Sequence, residues 1–201
     1  MVQFILASGS PRRKELLEQI GMQFRIEAAH GEEIITKTRP SDIVEELSFQ
    51  KATEVADRII GEAEPQEDIT VVIGADTIVA LGDQIMGKPE DEEDAMRMLS
   101  SLQDNIHQVY TGVTLVIRER GRKEYKTITF YEKTDVEMYP MSRTWIERYI
   151  ASKEPMDKAG AYAIQGQCAA YIKGICGEYV NVVGLPVARL IQELMKVGIE
   201  V

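Results

Sequence analysis

Cysteine and long hydrophobic runs are both scarce in this 201-residue sequence. The two cysteines, Cys168 and Cys176, have no histidine nearby, and their spacing matches no common metal site. We therefore expect reduced thiols in a cytoplasmic protein, because structural disulfides are rare in that compartment. No stretch approaches the roughly 18 apolar residues of a membrane-spanning helix, and the apolar residues 2–7 lack the basic start of a secretory signal. The sequence thus predicts no membrane segment.

Basic charge is also in short supply. The chain has 23 Lys and Arg against 33 Asp and Glu, for a net charge of −10, and its longest basic run is Arg12-Arg13-Lys14. Proteins that hold extended nucleic acid or an anionic membrane surface usually carry a basic face, so neither is expected as a partner. A small anionic ligand remains compatible, since a binding site needs only local positive charge.

Internal repeats, low-complexity tracts and flexible linkers are absent from the sequence, so we expect one domain over residues 1–201. Periodicity predicts strands at 3–7, 23–27, 69–73, 77–81, 109–117 and 125–136, and helices at 11–20, 42–63, 91–102, 142–152 and 186–196. Ser10 is the expected N-cap of the first helix, and Asp42 with Glu45 a capping box for the second. Alternation in the first half and adjacent long strands in the middle predict an α/β protein with a mixed sheet.

The segment Leu-Ala-Ser-Gly-Ser-Pro-Arg-Arg at residues 6–13 joins a strand to a helix start. Backbone N–H groups and the positive end of the helix dipole meet there, and Ser8, Arg12 and Arg13 can add further donors to phosphate oxygens. It is not a Walker A loop. The alternative is an ordinary capped helix with solvated arginines, although two arginines at the positive end of a helix bring no structural benefit.

Four more positions could carry chemistry. Asp76 follows Gly-Ala at the expected end of a buried strand, where open α/β folds expose ligand-binding groups, or it could be a turn carboxylate. Lys88 lies between Gly87 and Pro89, and Lys51 lies among apolar neighbours in the long helix. The pair Glu32-Glu33 follows a strand. Each of the last three signals is weak alone, because such side chains are mostly solvated.

Residues 154–166 are neither helical nor alternating in pattern, which is typical of a functional or mobile loop. The Gln165 amide there can both donate to and accept from the edge of a nucleobase. His30 and His107 stand alone in the sequence, so we assign neither a catalytic role.

Six motifs together resemble the Maf family, also called septum-formation-inhibitor Maf-like proteins. They are LASGSPRRKELLEQIG, VIGADTIV, GKPEDEEDAMRMLSSL, QVYTGVTLV, EPMDKAGAYAIQG and NVVGLPV, in this order from about residue 5 to about residue 194. The resemblance implies a cytoplasmic nucleoside triphosphate pyrophosphatase that uses Mg²⁺ or Mn²⁺ and is frequently a homodimer. It also implies an elongated mixed sheet with flanking helices, in two lobes around a central cleft, similar to inosine triphosphate pyrophosphatases.

The same resemblance assigns roles to particular residues. Asp76 matches the catalytic proton acceptor, and Glu33 with Asp76 is expected to hold the metal. Ser8, Arg12, Arg13, Lys51 and Lys88 match residues around the phosphates. Arg12, Thr77 and Gln165 match the branch that prefers dTTP and UTP over the branch that acts on 7-methyl-GTP. Modified pyrimidine triphosphates stay open as alternative substrates. The family often has D-x-D-E where this chain has His30-Gly31-Glu32-Glu33, so Glu32 is an alternative to Glu33.

Two other classes stay open at this point. One is a nucleotide-sensing regulator of cell division, in which hydrolysis is secondary. The other is a structural nucleic-acid binder, which the acidic balance opposes.

Overall fold

The computed structural model describes residues 1–60, 67–122 and 124–201, and within them the chain forms seven strands and six α-helices. The strands are β1 Val2–Leu6, β2 Phe24–Ile26, β3 Ile69–Leu81, β4 Gln84–Met86, β5 Ile106–Glu119, β6 Lys126–Met138 and β7 Ile172–Cys176. The helices are α1 Pro11–Gln19, α2 Pro40–Ile60, α3 Glu92–Leu102, α4 Arg143–Ala151, α5 Tyr179–Val183 and α6 Val187–Lys196. Residues 61–63 of the second predicted helix lie outside the described residues. None of the described helices is long and apolar enough to cross a membrane.

The strands form one seven-stranded mixed sheet, which confirms the predicted α/β fold class. Its order is β2-β1-β3-β5-β6-β7, with β4 paired to β3. Strand β1 runs parallel to both β2 and β3, whereas β4 is antiparallel to β3 and β7 is antiparallel to β6. The parallel part coincides with the strand–helix alternation of the first half of the sequence, as a parallel pair requires a crossover connection.

The chain divides into two compact units. The first comprises residues 1–76, 111–132 and 184–201, and the second comprises residues 77–110 and 133–183. In the first unit α2 packs on the central strands, and the fully buried residues of that contact are Ile5, Ala7, Ala52, Val55, Ala56, Val72 and Val116. Alanine is frequent on the α2 side of this contact, so the helix backbone can approach the sheet closely.

Strand β3 is continuous, whereas the sequence predicted two strands, at 69–73 and 77–81. Its first half pairs with β1 and residues 79–81 pair with β4, so backbone pairing continues on both sides of Gly74. This glycine does not interrupt the strand. A Cβ atom on it would lie 2.5 Å from the carbonyl oxygen of Ser48, and glycine is therefore needed because α2 passes so near.

Local chemistry accounts for the ends of three helices. Asp91 and Ser142 cap α3 and α4 by accepting the N–H groups of Asp94 and Trp145. Helix α1 begins at Pro11 and closes at Gly21, which has a φ of +77°. Ser10 occupies the N-cap position of α1, but its side chain makes no capping hydrogen bond.

The predicted capping box at Asp42 and Glu45 is wrong, because α2 begins two residues earlier. Pro40 takes the first helical position, where its missing N–H group costs nothing, and the Ile43 N–H already donates to the Arg39 carbonyl oxygen at 3.0 Å. Asp42 thus lies inside the first turn. The sequence also missed β4, β7 and α5, which are each five residues long or shorter.

Replacing Gly112 with alanine should destabilise the protein, because a Cβ atom there would lie 2.1 Å from the Val44 carbonyl oxygen of α2. Helix backbone cannot give way as a flexible side chain can, so we expect a loss of about 1–3 kcal/mol in the free energy of unfolding. Urea denaturation followed by circular dichroism measures it. Gly174→Ala is the matched control, since a Cβ atom on this strand glycine meets nothing within 4 Å. Equal stability of both variants would contradict the close approach of α2.

Candidate active site

Lys51 is held between two carboxylates in the first unit. Its Nζ atom donates to Asp76 Oδ1 at 2.5 Å and lies 2.9 Å from Glu33 Oε1. The side chains of Lys51 and Asp76 are only 18% and 14% exposed, whereas that of Glu33 is 51% exposed. Two carboxylate oxygens therefore lie close enough together to share one cation, at a place that solvent still reaches through Glu33.

The fold brings Lys51 and Asp76 together through the contact of α2 with β3. Strand β1 ends at Leu6, opposite Ile73, and β3 continues past that point to Asp76. Asp76 is thus a mid-strand residue beyond the end of its parallel neighbour, rather than the terminal residue that the sequence predicted. Lys51 lies on the helix directly before Ala52, whose backbone nitrogen and Cβ atom lie close to Gly74.

Glu33 lies on a loop that α2 holds by its backbone. The Glu54 carboxylate accepts the N–H groups of His30 at 3.0 Å and Gly31 at 2.9 Å. Gln50 accepts the Ile34 N–H at 3.0 Å and donates to the Ile34 carbonyl oxygen at 2.6 Å. Glu33 is therefore fixed on both sides, between Gly31 and Ile34.

A third contact extends this support by one helical turn. The Glu46 carboxylate accepts the Thr36 N–H at 2.8 Å and the Thr36 hydroxyl at 2.5 Å. Glu46, Gln50 and Glu54 recur every four residues and so lie on one face of α2; we call them the α2 row. The Thr36 hydrogen bonds lower the pKa of Glu46. Burial alone would raise the pKa of Glu54, but the His30 and Gly31 N–H groups and Arg58 lower it overall.

The start of α1 contributes Ser8 and the arginines. Arg13 Nη1 donates to Ser8 Oγ at 3.0 Å, and Arg13 Nε donates to the Gly184 carbonyl oxygen at 2.8 Å. Burial lowers the pKa of Arg13, while the charges of Asp76 and Glu33 act in the opposite direction. The guanidinium therefore lies within electrostatic reach of both carboxylates, and arginine stays protonated at neutral pH. Arg12 is half-buried in the first turn of α1.

The remaining predicted site residues belong to the second unit, on three different segments of the chain. Thr77 follows Asp76 on β3 and is half-buried, Lys88 is exposed between β4 and α3, and Gln165 is exposed at a turn. The structure thus groups Glu33, Lys51, Asp76 and Arg13 by contact or charge. For the acidic pair, Glu33 contacts Lys51, while Glu32 is exposed, and this geometry favours Glu33 over Glu32.

The residues without an assigned role are mostly structural. His107 is fully buried, its Nε2 lies 2.8 Å from the Tyr162 hydroxyl, and burial lowers its pKa to about 4. Cys168 is buried and Cys176 is exposed, and both are free thiols. Burial, with the charge of Glu154, raises the pKa of Cys168 to about 12. Neither His107 nor Cys168 is therefore suited to proton transfer or nucleophilic attack at neutral pH.

In the described ranges, no group of three or more His, Cys, Asp and Glu side chains is arranged to hold a metal ion. The arrangement that is present consists of two carboxylates joined by an ammonium, with a guanidinium nearby. Oxygen donors of this kind suit Mg²⁺, which is commonly held by one or two carboxylates and completed by water and phosphate oxygens. Lysine and arginine suit the phosphate oxygens themselves.

Sequence reasoning missed the α2 row. A repeat of Glu, Gln and Glu at every fourth residue is common on the solvated face of an amphipathic helix, so the sequence alone does not single these residues out. The one available signal was the length of the polar segment at residues 30–39, which has no structure of its own and needs backbone partners.

Replacing Glu54 with alanine should release the backbone of His30 and Gly31, just before Glu33, since the three hydrogen bonds from their N–H groups to the Glu54 carboxylate disappear. We expect the amides of His30 and Gly31 to lose hydrogen-exchange protection by about tenfold, while the sheet keeps its own. Mass spectrometry of peptides covering residues 28–36 measures this. Thr53→Ala is the matched control, because that hydroxyl bonds back to the α2 carbonyl oxygens of Phe49 and Gln50. Unchanged exchange in Glu54→Ala would contradict the support of the loop by α2.

Comparison with known protein sequences places this chain in a family. A family model described as Maf-like protein matches residues 3–197. A protein of Agathobacter rectalis is 57% identical over 206 residues, covering both chains completely. Proteins of Lachnoclostridium phytofermentans and Bacillus cereus strain B4264 are 48% and 46% identical, covering all of this chain and 98% of their own. Each of the three is named dTTP/UTP pyrophosphatase. The sequence resemblance is thereby confirmed, and the chain belongs to the family of Maf-like proteins.

Proposed function

We propose that this protein hydrolyses dTTP and UTP to the monophosphate and pyrophosphate. The structural observation that carries the proposal is the Lys51 ammonium between Asp76 and Glu33. The names of the full-length relatives, which are 46–57% identical in sequence, support the choice of substrate. These names also favour an enzyme over a regulator of cell division in which hydrolysis is secondary. A cytoplasmic location, a homodimer and a single domain over residues 1–201 stay predictions.

Asp76 is the residue placed to act on the attacking water. Water attacks the α-phosphorus, the bond from that phosphorus to the bridging oxygen breaks, and pyrophosphate leaves. The Asp76 carboxylate orients the water and takes its proton, while its own position is fixed by Lys51 at 2.5 Å. A half-buried carboxylate with a rigid partner is well suited to this, because phosphoryl transfer depends on positioning and charge more than on a covalent nucleophile.

Glu33 and Asp76 are the residues that would hold a divalent cation, Mg²⁺ or Mn²⁺. Their oxygens already share one cationic partner, Lys51, and their donor chemistry is that of magnesium sites. What a bound divalent cation supplies is charge for the triphosphate oxygens and a lower pKa for a bound water. Two carboxylates are sufficient when water and phosphate oxygens complete the set.

The cationic side chains serve the triphosphate. Arg13 is oriented by Ser8 and by the Gly184 carbonyl oxygen, which leaves its guanidinium fixed rather than mobile. We assign Ser8, Arg12, Arg13, Lys51 and Lys88 to the phosphates, where they offset the charge of the substrate and of the leaving pyrophosphate. We assign the preference for dTTP and UTP to Arg12, Thr77 and Gln165, with the Gln165 amide paired to the thymine or uracil edge.

Asp76→Asn should lower the turnover of dTTP by about 10²–10³-fold, the usual cost of removing one such electrostatic group. The amide keeps the shape of the side chain and an oxygen that can accept from Lys51, and the Glu33 carboxylate remains beside Lys51. We therefore expect native far-UV circular dichroism at the assay temperature, with thermal unfolding at a lower temperature than wild type because the buried ion pair is lost. Release of pyrophosphate, measured with a coupled assay, gives the rate.

Asp83→Asn is the control for this variant, because Asp83 is an exposed aspartate at the turn after the same strand. It should retain wild-type turnover. A folded Asp76→Asn protein with wild-type turnover would remove Asp76 from the reaction and would overturn the proposed site.

A further inference from the structure

Gln165 lies at the tip of a tight turn in the second unit. The Gly166 N–H donates to the Ala163 carbonyl oxygen at 3.2 Å, which makes Ile164 and Gln165 the two central residues of a four-residue turn. Ile164 is 8% exposed and points into the core, whereas Gln165 is exposed. Because Gln165 is exposed, the position of its side chain depends on the backbone of this turn, and a firmly held backbone restricts that position.

Two side chains outside the turn hold it at both ends. The Tyr149 hydroxyl accepts the Ala163 N–H at 3.1 Å, and the Glu154 carboxylate accepts the Gln167 N–H at 2.9 Å. The two supports are joined, because the Tyr149 hydroxyl donates to Glu154 Oε1 at 3.1 Å. Burial raises the pKa of Tyr149, so this hydroxyl keeps its proton and remains a donor.

Gly166 fits closely against the same carboxylate. A Cβ atom on Gly166 would lie 1.8 Å from Glu154 Oε1 and 2.5 Å from its Cδ atom. Its φ of −102° is one that any residue can adopt, so the absence of a side chain at Gly166 matters for the space that the Glu154 carboxylate occupies and not for the backbone conformation. The glycine of the Ile-Gln-Gly sequence is thus explained by Glu154.

The supports are themselves fixed. Tyr149 is 1% exposed on α4 and stacks on Trp145, with ring centroids 5.0 Å apart. Glu154 begins a 3₁₀ turn at residues Glu154–Asp157, its neighbour Pro155 is buried, and Lys158 Nζ donates to the Glu154 carbonyl oxygen at 2.7 Å. The Glu154 carboxylate is therefore held in place itself, and its hydrogen bond to the Gln167 N–H fixes the end of the turn.

We infer that Glu154 and Tyr149 are positioning residues that fix the Gln165 turn and thereby set the selectivity for the pyrimidine base. The inference rests on the proposed function, because it takes Gln165 to be the residue that reads the base. A glutamine amide on a fixed backbone presents its donor and acceptor at one depth and one angle. On a loosened backbone the same amide reaches several positions. A base with the matching edge then gains less binding free energy from the amide, and a mismatched base is penalised less.

The variants Glu154→Ala and Glu154→Gln separate positioning from a general effect on folding. Alanine removes the acceptor for the Gln167 N–H, whereas the glutamine carbonyl oxygen retains it. For Glu154→Ala we expect the ratio of kcat/KM for dTTP to kcat/KM for dCTP to fall about tenfold, through KM, with kcat for dTTP within about twofold of wild type. Glu154→Gln should restore most of the ratio.

Gly166→Ala tests the close contact from the other side. Alone, its methyl group displaces the Glu154 carboxylate and should lower the ratio at least as far as Glu154→Ala does. Combined with Glu154→Ala, the three atoms nearest to the methyl group are absent, so the double variant should resemble Glu154→Ala and not the sum of the two changes. Glu147→Ala is the control, since this exposed α4 glutamate pairs with Arg143 and should leave the ratio unchanged.

Hydrogen exchange of peptides covering residues 163–168 measures how firmly the backbone of the turn is held, independently of enzyme activity. Protection of the Gln167 amide should be lost in Glu154→Ala and kept in Glu154→Gln. Unchanged protection in Glu154→Ala, or an unchanged dTTP to dCTP ratio there while Gln165→Ala loses it, would overturn the positioning role. A wild-type enzyme that does not prefer dTTP would instead refute the proposed base selectivity, and the exchange result would still decide whether Glu154 holds the turn.

Discussion

The ion pair between Lys51 and Asp76 is the interaction on which the rest of the first unit depends. Both side chains are mostly buried, and an ammonium or a carboxylate left there without its partner would cost on the order of 3–5 kcal/mol. The pair therefore depends on a close approach of α2 to the sheet. Gly74 on β3 and Gly112 on β5 allow this approach, since a Cβ atom at either position would overlap the α2 backbone. Glu33 completes the arrangement from a loop that is held by the same helix, so one helix positions both carboxylates of the proposed metal site.

Close approach of this kind recurs in the second unit, where Gly166 makes room for the Glu154 carboxylate. In each unit, backbone that carries a residue of the proposed function is held by side chains to which we assign no role in the chemistry. The α2 row supports the loop of Glu33, and Glu154 with Tyr149 supports the turn of Gln165. Catalysis that depends on placing charge around a triphosphate gains from such support, because a shift of an ångström in one group removes much of its effect. An acidic protein can therefore act on an anionic substrate, provided that a few cationic side chains are held in place to contact its phosphates.

The sequence predicted the fold class and most helix starts, because capping residues such as Asp91 and Ser142 act locally. It failed where long-range contacts decide the outcome. Gly74 looked like the end of a strand, although the strand continues and the glycine serves the approach of α2. Asp42 looked like a cap, although Pro40 starts the helix earlier. For the site, residue types and order indicated Glu33, Lys51 and Asp76 as candidates, but their contact depends on the packing of α2 on β3. The α2 row and Glu154 could not be distinguished from solvated acids, since their partners are backbone N–H groups of distant loops.

We propose that the group of Glu33, Lys51 and Asp76 directs water to the α-phosphorus of a pyrimidine nucleoside triphosphate. Hydrolysis of dTTP in ¹⁸O-labelled water, with the products analysed by mass spectrometry, tests which phosphorus is attacked. We expect the wild-type protein to yield thymidine monophosphate carrying the label and unlabelled pyrophosphate. Label in pyrophosphate, or formation of thymidine diphosphate with labelled phosphate, would contradict the proposal, because the water would then have attacked a different phosphorus.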